Sequence, residues 1–265
     1  MFKSKSLRCL NSLIICVLGL TLLVESSPSK AGLAPAKAVT AITTQEVDST
    51  ESCTEIGPYS LSATALSDRI WTGKKILRVR FLNGSDELRS KVQIYAPVWS
   101  EYADIKFDFI EKGPSDIRIS FVHDGRSWSY IGNSAENVNK NKATMNFGWF
   151  GETTEEVEFQ RVILHEFGHA LGLIHEHQSP KRAINWNKQY LFKYYEKPPF
   201  EWNQNVVRDN VIKKYAVTQT QYTEYDPKSI MHYPIPANFT TDGFSVGMNT
   251  RLSAKDKELI RKLYP

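Results

Sequence analysis

Cysteine is scarce in this sequence: three in 265 residues, Cys9, Cys16 and Cys53. The first two lie in an N-terminal leader, which leaves Cys53 alone and excludes a disulfide-stapled scaffold. A chain of this length can bury a sufficient core without such staples. Long apolar runs are scarce too. The one candidate, Leu10 to Val24, is interrupted by Asn11, Ser12, Gly19 and Thr21, and it is short for a membrane span. An excess of one charge is also missing. The formal net charge is +4, from 33 basic and 29 acidic side chains, but residues 1–36 hold four of the former and one of the latter. The remaining 29 against 28, a net of +1, gives no reason to expect a nucleic-acid or anionic-membrane partner. Internal repeats are absent, and nothing marks a second domain.

What is present begins with the leader. Lys3, Lys5 and Arg8 precede the apolar run, the layout of a secretory signal peptide over residues 1–36, with cleavage candidates at Ala31 or after Ala34-Pro35-Ala36. Secretion follows, with an uncleaved N-terminal anchor as the alternative. Cys16 lacks the small preceding residue of a lipoprotein. Residues 37–69 shift to Thr, Ser, Ala and Glu with little periodicity, and read as a linker or short propeptide-like arm.

From residue 70 the pattern is that of a packed α+β domain running to 265. Lys75 to Leu82 alternates, with Ile76, Arg78 and Arg80 opposing Leu77, Val79 and Phe81, and leads into an Asn83-Gly84 turn. Ser85 or Asp86 caps a helix whose Leu88, Val92, Tyr95, Ala96 and Trp99 keep helical spacing. Ile105 to Ile110 and Asp116 to His123 alternate again, and Trp128 to Gly132 and Thr144 to Trp149 are further short strands. Thr153 with Glu156 predicts a capping box at the start of the next helix. Gln178 to Lys228, rich in Tyr, Asn, Lys and Trp, predicts helices and long loops. Asp226-Pro227 opens a turn, and Ser253 caps a closing helix through Asp256, Leu259, Ile260 and Leu263.

The chemistry is concentrated in His165 to His177: His-Glu-Phe-Gly-His-Ala-Leu-Gly-Leu-Ile-His-Glu-His. On a helix, His165 and His169 lie one above the other and can offer two imidazoles to one metal ion. Glu166 sits about 100° round the helix, beside the metal, where it can hold and deprotonate a water. Gly172 can take the left-handed conformation that ends the helix, so His175 returns from the turn as a third nitrogen ligand. Three protein ligands and an open position suit a catalytic zinc, whereas structural sites are closed by four. Downstream stands a second signal, Ser229-Ile230-Met231-His232-Tyr233. His177 and His232 read as residues outside the ligand set, beside the site or on the surface, and His123 carries no reading.

The long histidine motif together with the later Met-turn resembles the metzincin clan of metalloproteases. Glu176 directly after the third histidine, and the Ser-x-Met-His-Tyr turn, are similar to the astacin family of peptidases. The resemblance covers residues 70–265. It implies a metzincin-type fold: an upper subdomain with a twisted mixed sheet and two long helices, a mostly irregular or helical lower one, and the cleft between them. It implies a zinc endopeptidase in which Glu166 is general base and acid. Tyr233 would be a swinging fifth ligand that stabilises the oxyanion, and Met231 a floor beneath the histidines. It further implies protein or peptide substrates held in extended form along an edge strand, with Trp128 to Ile131 the candidate and Thr144 to Phe147 its neighbour. A monomer is expected. The chain departs from animal astacins, whose catalytic domains carry two disulfides. Cys53 reads as a spare thiol; the alternative, a latency thiolate on the zinc, lacks the matrixin Pro-Arg-Cys-Gly motif. Phe81 to Asp86 faintly resembles the propeptide aspartate switch but reads as a simple turn. Two rival functions stand beside the enzyme: a zinc-bearing binding module that has lost turnover, and a metal-free adhesion module.

Overall fold

The computed structural model describes residues 52–56, 65–66, 68–198, 200–214, 220–221 and 223–265. The signal-peptide and cleavage readings lie outside these. Among the described residues no helix is long and apolar enough to cross a membrane.

The strands are β1 (Ser52–Ile56), β2 (Ala65–Leu66), β3 (Ile76–Phe81), β4 (Lys106–Phe109), β5 (Ile117–Ser120), β6 (Arg126–Tyr130), β7 (Met145–Asn146) and β8 (Thr220–Gln221). Six of them form one mixed sheet in the order β1-β6-β7-β5-β3-β4, and β2 pairs with β8 apart from it. Only the β6–β7 pair of the large sheet is antiparallel. The helices are α1 (Asp86–Tyr95), α2 (Glu156–Ala170), α3 (Lys188–Tyr195), α4 (Gln204–Val207) and α5 (Ala254–Leu263).

Local sequence accounts for most of these elements. In β3, Leu77 and Val79 are buried while Ile76 and Arg78 face solvent, as period-two alternation requires. Ser85 caps α1 by accepting from Leu88 N. That helix tightens into a 3₁₀ turn over Ala96–Glu101, where Pro97 has no N–H to continue the α pattern. Trp99, in that turn, is fully buried and donates its indole N–H to Leu164 O at 3.0 Å. This ties the α1 layer to α2.

Three expectations need correction. The capping box at Thr153 does not form: α2 starts at Glu156, its N-cap is Glu155, and no side chain caps it. Glu156 is then the first helical residue and cannot reach back; its carboxylate goes to Lys91 and Tyr95 of α1 instead. Next, β5 does not alternate. All four of its residues are buried, because the Arg118 guanidinium donates to the carbonyls of Lys142, Ser115, Ala135 and Val138 at 2.7–3.3 Å. Those acceptors replace water. Finally, Trp128 to Ile131 is not on a free edge. The strand β1 lies along β6 in parallel, with Thr54 opposite Trp128, so part of the stretch read as a linker or arm is built into the sheet.

A second apolar cluster, with Ile184, Leu191, Val207, Val211, Ile235, Phe239 and Val246, organises the segment after the histidine motif. The closing helix α5 carries a full capping box between Ser253 and Asp256.

Candidate metal centre

The helix α2 is anchored along its length before it offers a ligand. Phe159, Val162, Ile163, Leu164 and Phe167 are buried in the main core. Its last carbonyls are taken by remote side chains: Trp71 Nε1 donates to Ala170 O at 2.7 Å and the Tyr264 hydroxyl to Leu171 O at 2.9 Å. Gly172 has φ +92°, a conformation an L side chain resists, and there the chain reverses. Leu173 N then donates to Gly168 O at 2.9 Å, and His175 swings back over the helix.

His165, His169 and His175 are all buried, and one ring nitrogen from each lies within 4.8 Å of the other two. Hydrogen bonds fix the tautomers. His165 Nδ1 faces Ile230 O at 2.8 Å and His169 Nδ1 faces Leu173 O at 2.9 Å. A carbonyl can only accept, so both Nδ1 atoms carry the proton and both Nε2 atoms present lone pairs. His165 Nε2 is buried without a hydrogen-bond partner among the described residues. His169 Nε2 and His175 Nε2 stand 3.2 Å apart, against about 3.3–3.4 Å for two imidazoles at ordinary Zn–N distance in a tetrahedron. Burial holds all three rings neutral: it lowers the pKa of His169 to about 4 and those of His165 and His175 well below the ordinary value, with the neighbouring histidines adding to the last two. Three neutral, converging imidazoles fit zinc with a position left open.

The Met-turn closes the floor. Met231 is buried, and a Cβ placed at Gly168 would lie 2.3 Å from its Sδ. Only glycine lets the sulfur lie this close to the helix between His165 and His169. Glu176 N donates to Met231 O at 3.0 Å, which locks the turn that carries His175 onto the Met-turn. The Tyr233 ring is half-buried and lies 4.0 Å from that of His175 and 4.9 Å, nearly parallel, from that of His177. Glu166 is fully buried between the ligand positions of α2. Glu176 is buried as well; desolvation raises its pKa to about 8, against the hydrogen bond it accepts from Asp226 N.

The remaining histidines are placed by their own bonds. His232 donates from Nδ1 to Tyr233 O at 2.6 Å and accepts at Nε2 from the Tyr225 hydroxyl at 2.7 Å, so neither nitrogen is left for a metal. His177 is buried against Tyr233 with Nε2 on Asn210 O at 3.2 Å, beside the site rather than on the surface. His123 is exposed. Sequence reasoning missed Tyr225 and Asn210, which carry no local signal. It also missed the second use of Asp256. Ser253-x-x-Asp256 is legible as a capping box, but the same carboxylate accepts from the Ser229 hydroxyl at 2.6 Å and from Ile230 N at 2.8 Å.

Comparison with known proteins agrees with this geometry. Protein SpAN of Strongylocentrotus purpuratus is 26% identical over 228 residues, 78% of this chain and 33% of its own length. Zinc metalloproteinase nas-38 of Caenorhabditis elegans is 27% identical over 169 residues, 62% of this chain and 20% of its own. The chain thus spans a third or less of these curated relatives. Among solved structures, myroilysin is 45% identical with a TM-score of 0.75, over 77% of this chain and 98% of that one. The model of the Astacin peptidase family matches residues 63–264, and the chain belongs to that family of zinc metallopeptidases.

Proposed function

We propose that this chain is a secreted endopeptidase that hydrolyses peptide bonds in proteins, with zinc held by His165, His169 and His175. One observation carries the reading: three buried, neutral imidazoles converge on one point, with the Glu166 carboxylate beside the first of them on the same helix. Bound there, zinc supplies a Lewis acid for water and for the scissile carbonyl. Glu166 takes the proton of the attacking water and delivers it to the leaving amine. Tyr233 donates a hydrogen bond from its hydroxyl to the developing oxyanion; its ring stacks on that of His177 and lies tilted against that of His175. The Met231 side chain fills the space below the ligand helix and keeps water out. All these groups come from one chain, so the site needs no second copy to be complete. The basic, then apolar leader supports export.

Substrate takes an extended form as an added strand. The side of β6 away from β7 is held by the chain's own β1, so a peptide enters that position in exchange for Ser52–Ile56.

The test is Glu166→Gln in the zinc-loaded protein, with denatured casein as substrate. Zinc content should be unchanged and cleavage should fall by about 10²–10⁴-fold or more. Cleavage equal to the parent's would remove Glu166 from the chemistry. A zinc-bearing parent that leaves casein intact would favour the binding module, and a parent without zinc the adhesion module.

A further inference from the structure

The His165 ring is joined to a buried carboxylate by an unbroken run of hydrogen bonds. Its Nδ1 proton goes to Ile230 O at 2.8 Å. That carbonyl belongs to the peptide group whose N–H is on Met231, and Met231 N donates to Ser229 Oγ at 3.0 Å. The Ser229 hydroxyl in turn donates to Asp256 Oδ1 at 2.6 Å. Every dipole in the series points the same way, from ring to carboxylate, so each bond polarises the next. The second oxygen, Asp256 Oδ2, accepts from Ile230 N and Ser253 N, both at 2.8 Å; this fixes the carboxylate on the cap of α5 and clamps the Met-turn from both sides. Ser229, Ile230, Met231 and Asp256 are all at most 5% exposed, so little water screens the series.

His169 differs. Its Nδ1 proton goes to Leu173 O, in the turn that follows its own helix, and Leu173 N returns to Gly168 O. No side-chain carboxylate stands in that circuit.

We propose that Asp256 and Ser229 are positioning residues for the metal. The charge of Asp256, relayed through the Ser229 hydroxyl and the Ile230–Met231 peptide, holds the His165 ring in one tautomer and orientation and strengthens it as a ligand. The pair extends to four links the direct carboxylate–histidine contact that commonly supports a metal-bound imidazole. This inference rests on the reading that His165 holds zinc.

Two variants test it in the full zinc-loaded chain. Ser229→Ala cuts the series at its centre. Asp256→Asn is the milder change: its amide oxygen still accepts from Ile230 N and Ser253 N, so the α5 cap and the Met-turn stay in place. Its amide group must then donate to Ser229 Oγ, which reverses the last link. Zinc affinity is read by competition with a chromophoric chelator. The His165 and His169 Nδ1 protons are read by NMR on protein labelled with ¹⁵N-histidine. Ser229→Ala should weaken zinc by about 10-fold or more, as loss of such support does elsewhere, and Asp256→Asn by less. In both, the His165 Nδ1 proton should move upfield while that of His169 stays put. Unchanged zinc affinity and an unmoved His165 proton in both variants, even with a lower melting temperature, would overturn the relay and leave only a structural clamp. A parent protein that bound no zinc would overturn the three-histidine reading and the relay with it.

Discussion

Gly168 gives a test of the site's floor in which the sign of the effect, and not only its size, is at stake. It lies inside α2, where alanine is favoured over glycine by about 1 kcal/mol. A Cβ at this position would, however, fall 2.3 Å from Met231 Sδ and 3.2 Å from Trp99 Cζ2. Met231 is 2% exposed and Trp99 is fully buried, so neither can yield into solvent, and overpacking of this kind costs about 1–3 kcal/mol. Gly168→Ala should therefore destabilise the protein by about 0–2 kcal/mol. In a Met231→Ala background, itself weakened by about 2–5 kcal/mol, the clash with sulfur is gone and the same substitution should stabilise by up to about 1 kcal/mol. The coupling between the two positions is then about 1–3 kcal/mol. Urea unfolding of the four proteins, all saturated with zinc so that linkage is held constant, measures it. Equal effects of Gly168→Ala in both backgrounds would show that the Met231 sulfur does not lie against the helix between His165 and His169.

Tyr233→Phe keeps the stacked ring and removes one donor, so turnover should fall about 10²–10³-fold with the Michaelis constant little changed; a raised Michaelis constant at unchanged turnover would make the hydroxyl a substrate-binding group. A chain beginning at residue 63, which lacks β1, should cleave casein faster than one beginning at Val47; equal rates would refute the exchange of β1 for substrate. Removing zinc with a chelator should make stability pH-dependent, because burial lowers the pKa values of His169 and His232 to about 4 and of His177 to about 3. These histidines bind more protons in the unfolded chain than in the folded one between about pH 6.5 and 4, outnumbering the one proton that Glu176 holds only in the fold, so the metal-free fold should weaken as pH falls through that window, by up to about 1.4 kcal/mol per pH unit for each histidine in excess. A flat urea midpoint from pH 7 to 5 would contradict the neutral, desolvated rings.

What was legible in the sequence is what local geometry decides. The Ser85 cap, the alternation of β3, the Gly172 turn and the Ser253–Asp256 box each depend on residues within a few positions of one another. Where the reading failed, a distant partner had overridden the local signal. Glu156 could have closed a capping box with Thr153, but Lys91 and Tyr95 of α1 hold its carboxylate. Arg118 breaks the alternation of β5 because acceptors from Ser115 to Lys142 gather round its guanidinium. The strand β1 reads as a featureless arm, since a parallel edge strand pairs with β6 through backbone groups that any sequence carries.

The same distinction divides the metal centre. The helix and turn from His165 to His175 supply all three rings, and for His169 they also supply the carbonyl that orients the ring, Leu173 O. For His165 they do not: its acceptor, Ile230 O, stands 65 residues away in the Met-turn. A histidine motif alone therefore specifies three nitrogens but leaves the first ring free to present either of its own to the metal. The second motif removes that freedom. Its Ser229 and Ile230 groups are pinned by the carboxylate that caps the closing helix, so the placing of the His165 ring depends on how the end of the domain folds. The two signals carry meaning together because one provides the ring and the other the acceptor that fixes its orientation.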